Sequence, residues 1–245
     1  RLKEDSFNLT ISKNEFRIGN LQPNFVSNND GTWNLTLDPT GSTYQVSAGA
    51  NDGTQFEDGG VDLADIDSLW CDGPVSRICT WRWTSVNITQ GAKILNASIQ
   101  VYTTWSQFGN VTVRFQNSSN AEPLGTNSYN ISNRKKTDST LWIKQENSGW
   151  IYSPNVSTVL QQVVDLPSWT SANSIVGMVQ PNGTSNQIQP KTYESGAANA
   201  AKLVVLWETV APDTTSPGFT VNPYNLTTTN QSVRINWATN ESANY

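Results

Sequence analysis

The 245-residue chain sets 15 Lys and Arg against 20 Asp and Glu, has a formal net charge of -5, and contains no histidine. With no basic run longer than Arg134-Lys135-Lys136, it offers no cationic footprint for a phosphate backbone, so no nucleic-acid partner is expected. The missing histidine removes Ser-His-Asp and Cys-His nucleophilic sites and the usual zinc ligands together.

Only 14% of residues are charged while Asn, Ser and Thr abound, so solubility rests on neutral polar groups, a common look for exported β-rich proteins. No apolar stretch approaches the roughly 18 residues of a membrane span, so no membrane insertion is expected. The first residue is Arg rather than Met, which suggests a processed product or an excerpt.

In chain order, residues 1–46 carry short alternating runs, Phe7 to Ile11, Phe16 to Ile18 and Trp33 to Leu37, with Asn29-Asp30-Gly31 as a hairpin turn. This N-terminal β segment is too short to be a domain of its own; it reads as a strand donor or as the remnant of a preceding domain. Residues 47–209 hold denser apolar strands, ICTWRWTSVNI, AKILNASIQVYTTW, NVTVRFQ, STLWIKQ, NSIVGMVQ and AAKLVVLWE, punctuated by turn signals as in a sandwich.

Within that region FEDGGVDLADIDSLW places Glu57, Asp58, Asp62, Asp65 and Asp67 close together. Carboxylates are hard oxygen ligands, but the spacing is not an EF-hand. A solvated acidic loop is the expected reading and a structural Ca2+ the alternative; no cofactor is required. The two cysteines, Cys71 and Cys79 in WCDGPVSRICTW, flank a Gly73-Pro74 turn signal. They are expected to close a short disulfide loop, the alternative being a reduced pair packed in the core.

One segment leaves the β rhythm. In SPNVSTVLQQVVDLPSW, Val156, Val159, Leu160, Val163 and Val164 follow helical spacing, Pro154 suits a first turn and Pro167 blocks continuation. A helix over about 154–165 is expected, docked by its apolar face. Residues 210–245 then form a hinge, APDTTSPGF, followed by FTV and SVRINW, in which Val233, Ile235 and Trp237 alternate with polar or small residues.

Twelve Asn-X-Ser/Thr sequons stand at Asn8, Asn34, Asn87, Asn96, Asn110, Asn117, Asn130, Asn155, Asn182, Asn225, Asn230 and Asn240. In a strand the Asn and the hydroxyl residue two positions on share a face. In NVTVRFQ and LNASIQVY that face lies opposite the apolar row. N-glycosylation of an extracellular surface is therefore expected, in an archaeal or eukaryotic envelope, against a polar β protein that merely places Asn and Thr on wet faces.

Trp105, Trp142, Trp150 and Tyr193 fall near predicted strand ends or loops and are the candidates for stacking on sugar rings. Trp81, Trp83 and Trp207 alternate with polar residues as core residues do, and packing is the expected role of any single Trp. No carboxylate pair stands out for catalysis, so no enzyme activity is expected.

The middle of the chain resembles the DNRLRE-type β-sandwich domains of large bacterial and archaeal surface proteins, related to disaggregatase-associated repeats and a carbohydrate-binding module family. The resemblance rests on FEDGGVDLADIDSLW, VNITQGAKILNASIQVY, ISNRKKTDSTLW, PNVSTVLQQVVDLPSWTSANSIVGMV and YESGAANAAKLVVLW, in the family's order over about residues 50–209. It implies an all-β, jelly-roll-like antiparallel sandwich serving as a non-catalytic extracellular module. The two cysteines and residues 1–46 lie outside the family's pattern. DTTSP followed by a strand pair with a Trp resembles the opening of fibronectin type III-like and immunoglobulin-like modules.

Together these features predict a glycosylated structural segment of a cell-surface filament, surface layer or adhesin. Its partners would be copies of itself or adjacent domains of a longer chain, joined by strand exchange, with Phe7 to Ile11 and Val233 to Trp237 as the donated strands. The alternative is a carbohydrate-binding module that takes an extracellular polysaccharide.

Overall fold

Alternating apolar residues become long antiparallel strands. The computed structural model describes residues 24–27, 33–36, 40–65, 67–72, 76–105, 107–146, 148–183, 187–209, 219–228 and 233–239. The strands are β1 Asn24–Ser27, β2 Trp33–Thr36, β3 Thr40–Gln45, β4 Asp52–Gln55, β5 Val61–Asp62, β6 Cys71–Asp72, β7 Ile78–Val86, β8 Lys93–Thr103, β9 Gln107–Phe115 and β10 Thr140–Glu146. There follow β11 Gly149–Tyr152, helix α1 Ser157–Val164, β12 Asn173–Pro181, β13 Gln187–Ile188, β14 Lys202–Glu208, β15 Phe219–Thr228 and β16 Val233–Thr239. The expected run Phe7 to Ile11, the turn at Asn29-Asp30-Gly31 and the hinge lie outside the described residues.

The chain divides into two compact units, Arg1–Glu208 and Thr209–Tyr245. The first contains an all-β antiparallel sandwich that is not closed into a barrel. An eight-stranded sheet runs β5-β4-β7-β12-β9-β13-β6, with β10 on the other side of β9; a four-stranded sheet runs β11-β8-β14-β3. β1 and β2 pair as a separate two-stranded sheet. In the second unit β15 and β16 pair antiparallel with several register shifts.

The four-stranded sheet takes in Thr40–Gln45, which local pattern assigned to the segment before the sandwich. β3 pairs with β14 from Lys202↔Gln45 to Trp207↔Thr40. The polar run TGSTYQ carries little alternation, and its partner lies far along the chain, so only the pairing reveals it as a sandwich strand.

The core lies between the sheets. Cys79, Trp81 and Trp83 of β7 and Val111, Val113 and Phe115 of β9 face Ala97, Ile99 and Val101 of β8 and Leu203, Val205 and Trp207 of β14. The rings of Trp81 and Trp83 stack at 6.5 Å, and Trp83 Nε1 donates to the Ala201 carbonyl at 3.2 Å. Gly177 on β12 makes room for this: a Cβ there would stand 2.7 Å from the Trp83 ring.

Helix α1 is shorter than its apolar pattern suggested. Asn155 Oδ1 accepts from Ser157 N at 2.9 Å and from Ala97 N at 3.1 Å, so the preceding residues are held to β8 and the helix starts after them. Val159, Leu160, Val163 and Val164 are buried, and Gln161 ties the helix to β8 through Ile94 N and the Ala92 carbonyl.

A strap formed by residues 116–139 covers the outer face of the eight-stranded sheet. Ile131, Leu124 and Ala121 pack on Ile78, Val176 and Met178 in a second apolar cluster. Arg134 pins the strap by donating to the carbonyls of Glu122, Pro123 and Asn130 and to the Gln116 and Asn130 side chains. Gln55 Oε1 accepts from both Ile131 N and Ser132 N, fixing the strap to β4.

Candidate interaction surfaces

β10 follows the strap directly. It pairs with β9 without a bulge, from Thr140↔Val113 to Glu146↔Gln107. The period of two sends Trp142, opposite Val111, into the core at 1% exposure, while Leu141 and Ile143 stay on the outer face at 45% and 66%. Among the described residues no strand pairs with the other side of β10, and β11, which pairs only with β8, borders the four-stranded sheet.

Between these two edges runs a groove of about 350 Å3 lined by Leu141, Trp142, Ile143, Tyr152, Ser153 and Pro154. The other ends of the sheets differ among the described residues: β5 and β6 have two residues each, and β3 is the mostly polar run TGSTYQ. Short or polar edges resist pairing with other chains; a straight, proline-free edge with apolar residues invites it.

The second surface is the outer face of the four-stranded sheet. Trp150 pairs with Tyr102, Tyr152 with Gln100, and Gln100 with Lys202. Tyr102 meets Trp150 edge to face at 5.6 Å, and Lys202 Nζ lies 4.2 Å from the Trp150 ring centre, within cation–π range. Tyr152 is 52% exposed. Farther along, Ser98 and Asn96 share this face, opposite Val204 and Leu206.

Of the four aromatic candidates only Trp150 belongs to that face. Trp105 stands 65% exposed between β8 and β9. Trp142 is a core residue, which corrects its assignment as a surface platform; its neighbours Leu141 and Ile143 take the outer positions instead. Tyr193 packs half-buried against the core. Tyr102 and Tyr152 were missed, although the wet row Asn96, Ser98, Gln100 already pointed to Tyr102 as its next member.

Neither a family model nor a curated protein matches the chain.

The acidic segment is organised by its own backbone. Asp58 Oδ1 accepts from Gly60 N, Asp62 Oδ1 from Ala64 N, and Asp65 Oδ1 from Asp67 N, all within 2.8–2.9 Å. Asp67 pairs with Lys191, whose hydrogen bond and charge hold its carboxyl below the usual range. Glu57 is exposed. Among the described residues no three carboxylates, cysteines or histidines gather at one point, so the structure does not bring the proposed calcium ligands together.

A different carboxylate is perturbed. Asp52 is buried and accepts from Tyr193 N at 2.9 Å through Oδ2; burial pushes its pKa up to about 7, opposed by that hydrogen bond and reinforced by Glu194 and Asp65. Nothing in the local sequence singled it out.

The expected disulfide gives way to its alternative. Cys71 and Cys79 are two buried thiols, and Cys71 Sγ donates to the Val179 carbonyl at 3.1 Å. Both sit on inward positions of paired strands, where the thiols pack as small apolar groups.

The sequons sort by burial. Asn87, Asn96, Asn155 and Asn182 are exposed, while Asn110, Asn117 and Asn130 are half-buried. Asn130 Oδ1 accepts from Gly125 N and from Arg134, and Asn117 Oδ1 is buried with no hydrogen-bond partner among the described residues. Asn34 lies in β2 and Asn225 in β15; Asn8, Asn230 and Asn240 fall outside the described residues.

Proposed function

We propose that this chain is a non-enzymatic, extracellular structural module, a segment of a cell-surface filament, surface layer or adhesin that joins its neighbours through open sheet edges. The observation that carries the reading is β10, a seven-residue, unbulged edge strand with Leu141 and Ile143 exposed. Unpaired N–H and C=O groups along such an edge bind another strand by the same ladder that builds a sheet.

The resemblance to DNRLRE-type surface domains and the exposed sequons Asn87, Asn96, Asn155 and Asn182 agree with an extracellular, glycosylated setting. Sedimentation velocity and electron microscopy of the purified chain over a range of concentrations test the proposal. Concentration-dependent oligomers or filaments are expected; a monomer throughout overturns it.

A second reading, a carbohydrate-binding module, draws on the outer face of the four-stranded sheet. Trp150, Tyr102 and Tyr152 offer apolar rings beside the amide of Gln100 and the ammonium of Lys202, a mixture suited to sugar C–H faces and hydroxyls. Binding to a polysaccharide array that falls at least tenfold with Tyr152→Ala supports this reading. Absence of binding to any glycan removes it.

A further inference from the structure

We infer that β10 is a self-complementary interface, and that its occupant is β10 of a second copy in antiparallel register about Trp142. The inference rests on the edge-assembly reading above and specifies its partner and contact.

The argument starts from the sequence of the edge, Thr140-Leu141-Trp142-Ile143. When an antiparallel strand meets its own copy across a two-fold axis, one residue faces itself and its neighbours face each other in exchange. Centring the pair on Leu141 sets Ile143 opposite Ser139, which precedes the strand; centring it on Ile143 sets Leu141 opposite Gln145. Only centring on Trp142 sets Leu141 opposite Ile143 and Ile143 opposite Leu141. That register gathers four apolar side chains, two from each copy, on one continuous outer face.

The physical gains are of two kinds. Backbone groups on the open side of β10 acquire ladder partners, and two exposed cross-strand apolar pairs lose contact with water. Little has to be ordered first, because β10 is already held straight by its regular pairing with β9 and by Trp142 in the core. The partner is a polypeptide strand rather than a glycan, since the face offers Leu and Ile beside a backbone edge that no described strand pairs, instead of an aromatic platform. A second copy is the partner whose own sequence supplies the complementary row. The β9-β10 order of one copy would then continue as β10-β9 in the next, making one sheet across both molecules.

The experiment combines edge variants with directed cross-linking of the full chain. Ile143→Lys and Leu141→Lys, on exposed positions, are expected to leave the melting temperature unchanged and to weaken self-association at least tenfold, by placing charges in the apolar cluster. Leu141→Cys mixed with Ile143→Cys is expected to form a disulfide-linked dimer under mild oxidation, several-fold more than either variant alone, because the register sets 141 opposite 143.

Self-association of the wild type that survives both lysine substitutions overturns the β10 interface while leaving edge assembly standing through another strand. Cross-linking of either cysteine variant alone as strongly as the mixture overturns the register. A wild type that stays monomeric at every concentration removes the edge-assembly reading and this inference with it.

Discussion

The outer face of the eight-stranded sheet is treated in two opposite ways within thirty residues of chain. Over β7 and β12 the strap of residues 116–139 seals it, with Ile131, Leu124 and Ala121 packed on Ile78, Val176 and Met178 and the Arg134 guanidinium holding the strap's carbonyls together. On β10, immediately after the strap, Leu141 and Ile143 stand in solvent. The same sheet thus hides an apolar patch of its own behind a polar cover and leaves another bare. The difference separates surface that serves folding from surface that remains for a partner.

The largest expected effect lies within β10 itself. Trp142→Ala should destabilise the first unit by about 3–5 kcal/mol, as removal of a large core aromatic does, measured by chemical denaturation. A cost near zero would mean that Trp142 does not anchor the strand and that β10 is no distinct edge.

Next comes the strap. Arg134→Ala removes hydrogen bonds to three carbonyls and two side chains and should cost about 2–4 kcal/mol, since bonds from a charged donor are individually strong but not additive. Hydrogen exchange should accelerate at the amides of Ile131 and Ser132, which donate to Gln55. Unchanged exchange there would show that the cover holds without its pin.

A somewhat smaller effect is expected from pH. Asp52 gives up its proton near 3.8 when unfolded but near 7 when folded, so between these values the native state binds the extra proton. Stability should therefore fall as pH rises through that window and level off above it, by about 2–3 kcal/mol between pH 5 and pH 8. Asp52→Asn, which keeps a hydrogen-bond acceptor for Tyr193 N, should flatten this dependence. Parallel pH profiles for the two proteins would rule out the buried carboxyl as its source.

The smallest change should come from the residue beside the first. Ile143→Ala is expected to shift the stability of the isolated chain by less than about 0.5 kcal/mol, although Trp142, one position away, carries the largest cost. A loss comparable to that of Trp142→Ala would mean that Ile143 is already covered within its own molecule.

Much of the sandwich was legible because its strands are amphipathic. Period-two rows in ICTWRWTSV and KILNASIQVYT determine which side is dry, and the 3.6 period in STVLQQVV marks the one helix. The site was less legible. Leu141, Trp142 and Ile143 are all apolar, so alternation places Trp142 opposite its neighbours without saying which side is the core. Tyr102 could be found from its wet row; Tyr152 sits in a four-residue strand too short to show one. The strap has no period at all, because its order comes from Arg134 gathering carbonyls within the strap and from Gln55 and Asn120 bonding to backbone far along the chain.

By itself the sequence determined the fold class, the helix and most sandwich strands, because burial of one face leaves a local repeat in the chain. Only the tertiary structure decided that Cys71 and Cys79 pack as thiols, that Trp142 points inward, that Asp52 is the perturbed carboxyl and that β10 has no strand on its outer side among the described residues. Those outcomes depend on which distant strand lies alongside, and pairing between residues a hundred positions apart leaves no local repeat to read.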